Sequence, residues 1–302
     1  RYPLSEDEKI NERGKIIHFF HEKEIVFPFK SELFDPAESY LANTDNRTRL
    51  SAYQDNLERK FRSAIGSDTE YKQIAKGVAS IVEIICVLEK FLKEIPDSGP
   101  GSPYHTQASA MLDIINSDSL KASLQEKNPN KITYARTAEF DQTFRFNCRD
   151  TVKQLLQLIY QLDVYISVAR CARDRNFAYA EAMPEVAGVF EIKGLYHPLL
   201  KNAVPNSIKV DQKSNMIFLT GANMAGKSTF MKSFGIAVYL AHMGFPVPAE
   251  SMRFSVLNGM FTTINLPDNI NKGYSHFYAE VVRVRKVAES IGNSKNLLVI
   301  FD

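Results

Sequence analysis

Cysteine is scarce in this 302-residue chain, which has three. Cys86, Cys148 and Cys171 are odd in number and never stand in C-x-x-C spacing, which argues against a disulfide framework or a zinc site and makes a reducing cytoplasm the expected setting. Long apolar runs are missing too. Runs such as Leu297-Leu-Val-Ile-Phe301 are strand-sized and fall far short of the ~18 residues of a membrane helix. The chain begins Arg1-Tyr-Pro-Leu-Ser-Glu-Asp-Glu, without an initiator Met and without the apolar stretch of a signal peptide. Charge of one sign is lacking as well. The net charge is +2, with 25 basic against 28 acidic residues up to position 185 and 12 against 7 beyond it. Neither half has the basic excess that announces nucleic acid by itself. No internal repeat or low-complexity tract interrupts a composition of 44% hydrophobic and 24% charged residues, which is that of a soluble globular protein of about two domains.

Up to about residue 180 the pattern is helical. Tyr71, Ile74, Val78, Ile81, Ile85, Leu88 and Leu92 alternate spacings of three and four, predicting one long helix from about Asp68 to Lys93 with a narrow apolar seam. Val152, Leu155, Ile159, Leu162, Ile166 and Ala169 predict a second. Such seams are read as bundle core, in helices acting as levers or struts. Pro96-Asp-Ser-Gly-Pro-Gly-Ser-Pro103 is a loop by its breakers, followed by a shorter helix over about 106–115 and a weaker loop at Asn128–Asn130. Arg47–Arg62 reads as a helix carrying Arg47, Arg49, Arg59, Lys60 and Arg62, candidate phosphate contacts or simply a solvated face. His18 and His21 lie in an apolar helical stretch without a matching ligand set, so packing is the expected role. After about residue 185 come short β-branched runs at 186–192, 216–220, 252–256, 260–264 and 297–301. Helices are expected over 227–243 and 276–290. The alternation implies an α/β sheet.

Within that half, Gly221 to Ser228 of Thr220-Gly-Ala-Asn-Met-Ala-Gly-Lys-Ser-Thr229 match G-x-x-x-x-G-K-[ST], between an apolar strand and an amphipathic helix. The two glycines let successive backbone N–H groups converge into an anion nest. The helix that follows points its positive end at the phosphates. Lys227 supplies a charge to the β- and γ-phosphates and the Ser228 hydroxyl coordinates Mg²⁺. Leu297–Asp302, apolar residues ending in a carboxylate, has the form of the second nucleotide motif, with Asp302 ordering the Mg²⁺ shell. ATP and Mg²⁺ are the cofactors expected.

Further motifs resemble the MutS family of DNA mismatch repair ATPases. They are Tyr196-His-Pro-Leu-Leu200, Val204-Pro-Asn206, the loop with its Asn223-Met224 pair, Gly244-Phe-Pro-Val-Pro-Ala249, Phe261-Thr-Thr263, and Asp268-Asn-Ile-Asn-Lys-Gly-Tyr-Ser-His-Phe277 with Glu280. Leu162-Asp-Val164 is similar to the family's passage from lever helices into the ATPase. The match is specific over about 150–302 and looser before it. The resemblance implies that the whole stretch Gly221, Ala222, Asn223, Met224, Ala225, Gly226, Lys227, Ser228 and Thr229 wraps the phosphates, with Asn223 near the γ-phosphate. It implies that Gly273 and Ser275 form a signature reaching the partner subunit's nucleotide across a homodimer. Where the family reads close to G-R-S-T-F, this sequence has Gly-Tyr-Ser-His-Phe. Where an aromatic often stacks on adenine, it has Ala203. Phe20-His-Glu22 fits the family's mismatch-reading Phe-x-Glu string but not its surroundings. The family continues past the position of Asp302 with a water-polarising Glu, so a fragment of a longer protein is expected.

The fold class expected is therefore α plus α/β: a long-helix core or lever domain over 1–183, then an ABC-like P-loop ATPase domain over 184–302, incomplete after its Walker B strand. The function expected is ATP-dependent binding of double-stranded DNA, mismatched or branched, coupled to dimer closure. The alternatives are another phosphate-loop ATPase or kinase, and a non-catalytic DNA-binding scaffold with a vestigial site.

Overall fold

The computed structural model describes residues 6–50, 68–126, 128–211, 213–264, 281–282, 284–289 and 296–302. In chain order they form α1 (Asp7–Glu22), α2 (Phe34–Ala42), α3 (Asp68–Glu94), α4 (His105–Ile115), α5 (Tyr134–Asp141), α6 (Arg149–Arg175), β1 (Glu181–Met183), β2 (Phe190–Leu195), β3 (Asn206–Val210), α7 (Lys227–His242), β4 (Ser251–Ser255), β5 (Gly259–Thr262) and β6 (Leu297–Ile300). They divide into two compact units, one of residues 25–164 and one of residues 1–24 with 165–302.

The unit of residues 25–164 is helical. Its spine is α3, whose seam residues Ile74, Val78, Ile81, Ile85, Leu88 and Leu92 are all buried, as the spacing predicts. Each such side chain withdrawn from water contributes roughly 1.5–3 kcal/mol. On α6, Val152, Leu155, Ile159 and Leu162 are buried in the same way. The breaker-rich stretch after α3 is a series of turns, and Pro129–Lys131 is a 3₁₀ turn. Past α5 the chain runs into a π-helical turn, Gln142–Asn147, that carries buried Phe144 and Arg145.

The second unit is mixed α/β. Four strands form a sheet in the order β1-β4-β2-β3, with β1 parallel to β4 and the other pairings antiparallel. A separate parallel pair, β5–β6, matches Gly259 with Leu297 and Thr262 with Ile300. Phe190, Ile192, Phe254, Phe234, Ala237, Val238, Ala241 and Ile300 share one core, and Ile10 from α1 joins it. α1 docks by polar contacts as well. Asn11 exchanges two hydrogen bonds of 2.9 Å with the Ala182 backbone, and Arg13 donates to the Met243 carbonyl at 3.0 Å. The units thus divide elsewhere than the 183/184 boundary read from the sequence, because residues 1–24 find their partners after residue 165.

Two local expectations are corrected. Residues 216–220 pair with no strand among the described residues. They keep a strand's alternation: Ile217 and Leu219 line a cavity, whereas Met216 and Phe218 are 81% and 89% exposed. The helix expected from Arg47 does not begin there. Asn46–Thr48 is a 3₁₀ turn, capped by the Asp45 carboxylate accepting from the Arg47 N–H, and Arg49 is extended. Residues 51–67, with the rest of that expected helix, lie outside the described residues.

Candidate functional site

The phosphate loop is built from backbone conformations that a side chain resists. Gly221 has φ +155°, Met224 φ +64° and Gly226 φ +93°. At Gly226 the left-handed turn directly precedes α7, and no side chain caps the helix there. Open space surrounds the position a Cβ would take at Gly226, while at Gly221 it would touch only the Ala225 side chain at 3.7 Å. The Phe230 N–H already bonds the Gly226 carbonyl at 2.9 Å and the Ala225 N–H bonds Ala222 at 3.2 Å. Helix geometry leaves the first N–H groups of α7 without intrahelical acceptors, turned towards the loop. Residues 221–226 are exposed and 227–230 half-buried.

Lys227 closes the loop on itself. Its ammonium donates to the carbonyls of Gly221 and Ala222 at 2.8 and 2.7 Å. A fixed positive charge therefore sits inside a ring of backbone, beside donors at the positive end of α7. This donor set suits an anion with several oxygens, such as a polyphosphate. The Ser228 hydroxyl lies in the first helical turn, and Thr229 lends its carbonyl to the Ser233 hydroxyl at 2.8 Å. Asn223 and Met224 form the exposed tip of the loop.

α7 is seated by its apolar face. Gly235 faces Ile300, so that a Cβ there would meet Ile300 Cδ1 at 3.6 Å. β6 thus runs beneath the helix that the phosphate loop begins, and Asp302 follows it as an exposed residue. Around a cavity of about 490 Å³, Ile217 and Leu219 on the entry to the loop face Leu298, Ile300 and Phe301. The structure thereby gathers the loop, α7 and the strand leading to Asp302 into one unit.

Other candidate residues fall elsewhere. Gly273 and Ser275 lie outside the described residues, as do Arg59, Lys60 and Arg62. Arg47 is exposed but engaged: its guanidinium grips the Asp45 carboxylate at 2.7–3.0 Å and holds that carboxyl down to about 2. Arg49 stands 5.6 Å over the Phe146 ring. Ala203 is half-buried beside exposed Val204. His18 and His21 pack around Tyr179, His18 by its ring edge at 4.6 Å and His21 with Nδ1 3.1 Å from the phenol oxygen. Burial, and next the neighbouring His18, push the His21 pKa down. Phe20 is 1% exposed, so the Phe-x-Glu string has its ring inside the protein. Buried His242 carried no signal in the sequence beyond being one polar residue on an apolar helix face.

Residues 217–302 match the family described as MutS domain V. Over 160 residues, half of this chain, it is 32% identical to the DNA mismatch repair protein MutS of Desulfovibrio desulfuricans. It is 31% identical over 159 residues to that of Fusobacterium nucleatum, and 29% over 184 residues to that of Clostridioides difficile. The aligned stretch spans only 17–19% of those relatives. Among the described residues no helix is long and apolar enough to cross a membrane. The loop at Gly221–Ser228 thus lies within the stretch that matches MutS domain V.

Proposed function

We propose that the protein is a MutS-like, ATP-dependent DNA-binding protein of the cytoplasm, acting in mismatch repair or related DNA processing. The observation that supports this best is the loop itself. A lysine ammonium held by two loop carbonyls, between glycines in φ-positive conformations and an uncapped helix start, lies within a MutS domain V. In this reading Gly221–Thr229 wrap the triphosphate by backbone N–H groups, and Lys227 leaves its carbonyls for the β- and γ-phosphates. Ser228 and Asp302 hold Mg²⁺, which when bound neutralises the phosphate charge. Asn223 lies beside the γ-phosphate, and Gly273 and Ser275 serve the nucleotide of a partner subunit. Closure of a homodimer on ATP then shifts the population of long-helix arrangements that grip double-stranded DNA. Any sequence-independent grip draws on cations such as Arg49, Arg59, Lys60 and Arg62, with Arg47 contributing less because Asp45 already holds it.

A fluorescent ATP titration with Mg²⁺, wild type against Lys227→Ala, tests the site. Saturable binding is expected in the wild type, weakened about 10- to 100-fold by the substitution, as loss of a charge-assisted contact requires. Equal binding by both proteins overturns the site. Duplex DNA binding that steepens with ATP supports the coupling; DNA affinity indifferent to nucleotide refutes it.

A further inference from the structure

α7 begins with Lys227 and ends with His242. The His242 ring is 4% exposed and uses both nitrogens. Nδ1 lies 2.8 Å from the Val238 carbonyl oxygen, and Nε2 lies 2.9 Å from the Leu257 backbone nitrogen. A carbonyl only accepts and a backbone N–H only donates. Nδ1 must therefore carry the proton and Nε2 must be bare, so that only the neutral ring satisfies both partners. Its centroid lies 4.8 Å from that of Phe254 on β4.

Leu257 opens a second set of ties. The next residue, Asn258, donates its N–H to the Asn296 carbonyl at 2.9 Å. Its side-chain amide donates to the Glu185 carboxylate at 3.2 Å, and the Asn296 amide donates to the same oxygen. β5 and β6 start immediately after these two asparagines. One imidazole therefore joins the far end of the phosphate-loop helix to the point from which both parallel strands run, and β6 leads to Asp302.

We propose that His242 is a positioning residue, whose neutral imidazole braces α7 against β5–β6 and thereby holds Lys227 and Ser228 in place relative to Asp302. This rests on the reading of Gly221–Ser228 as a nucleotide site and gives that site a sensitivity to protons. The nearby charged groups are committed elsewhere. Arg253 on β4 follows the opposite alternation to Phe254 and pairs with Glu181 at 2.8 Å. Glu185 is held by the two asparagines, and Arg13 of α1 by the Met243 carbonyl at 3.0 Å. Burial pushes the His242 pKa below the ordinary 6.5, only partly offset by the Val238 carbonyl. The unfolded chain therefore takes up the proton first. The brace is complete above about pH 6.5 and persists below it, until the pH falls through the lowered pKa of the folded ring and a protonated Nε2 faces the Leu257 N–H.

The test titrates the full chain with a fluorescent ATP analogue and Mg²⁺ from about pH 8 down to the acid limit of the folded protein, as wild type, His242→Gln and His242→Phe. Glutamine can place an amide oxygen near Nε2 and does not titrate. The nucleotide's own titration is common to all three proteins and divides out. Relative to His242→Gln, the wild type is expected to keep its affinity down to about pH 6.5 and to lose about tenfold once the folded ring takes up its proton. His242→Phe is expected to start about tenfold weaker at pH 8, with no further loss relative to His242→Gln. Hydrogen exchange at pH 7.5 gives a readout that needs no nucleotide: amides of 257–262 and 297–300 should lose protection in His242→Phe and keep it in His242→Gln. Parallel pH profiles in all three proteins, or unchanged exchange in His242→Phe, overturn the proposal. If the wild type binds no nucleotide, the phosphate-site reading is what fails, and exchange alone decides the brace.

Discussion

Gly77 shows how far one residue's effect depends on its neighbour. Helix propensity alone expects Gly77→Ala, in the middle of α3, to stabilise the protein by about 1 kcal/mol. The structure reverses the sign. A Cβ at this position would stand 2.2 Å from the Tyr40 Cβ on α2, far inside contact distance, and both atoms belong to stiff parts of their helices. Gly77→Ala is expected to destabilise by about 1–3 kcal/mol, the usual range for overpacking. Urea unfolding measures it, and a gain in stability would contradict the close α2–α3 crossing. Gly244 is a similar case: its φ of +70° and the Ile10 carbonyl, 2.9 Å from where a Cβ would lie, explain a glycine ahead of Phe245-Pro-Val-Pro. The phosphate loop was legible as a string because its chemistry is local, set by spacing and by glycines. Gly77 was not legible, because what demands a glycine there is a surface arriving from elsewhere in the chain.

At the scale of elements, a buried ion pair organises the helical unit. Arg145, in the π-helical turn after α5, grips Asp141 at 2.5 and 2.7 Å, with both side chains fully buried. Asp141 also accepts from the Tyr40 hydroxyl at 2.9 Å and from the Leu50 N–H at 3.1 Å. Arg145 reaches on to the Thr48 hydroxyl and carbonyl at 2.9 and 3.2 Å. Through these two residues α2, α5 and the turn at 46–50 are tied together. Arg145→Met leaves a buried carboxylate without its cation and is expected to cost about 3–5 kcal/mol. Tyr40→Phe removes one donor of several and is expected to cost about 1–2 kcal/mol. Thermal melts of the two variants should rank in that order. The long helices of this unit were readable from their seams. The ion pair was not, since Asp141 and Arg145 at i and i+4 look like any exposed helix pair. Nor did the sequence reveal that 216–220 has no ladder among the described residues: alternation reports which faces a segment presents, not whether another backbone pairs with it.

For the molecule as a whole, the decisive feature is that the α/β unit is built from two stretches of chain, 1–24 and 165–302. Periodicity shows that α1 has an apolar face, but nothing in it names the partner, so a boundary drawn at 183 follows grammar rather than contact. Ile10→Ala is expected to cost about 2–4 kcal/mol, since it opens a hole in a core otherwise made of residues from 182 onward. The loss should register in hydrogen exchange of α7 and β4 and leave α3 unchanged. Loss of protection confined to α1 would show that Ile10 is not part of that core.

The docking of α1 also has a consequence for synthesis. The Arg13 guanidinium bonds a carbonyl 230 positions later in the chain. At 5–20 residues per second, α1 emerges from the ribosome roughly 10–50 s before its acceptor exists. Residues 25–164 are made in that interval, whereas buried Ile10 must wait uncovered for a core whose other buried residues come from position 182 onward. The growing chain therefore carries the Ile10 face of α1 uncovered until the residues from 182 onward appear, which makes that helix a natural client of a chaperone at the tunnel exit.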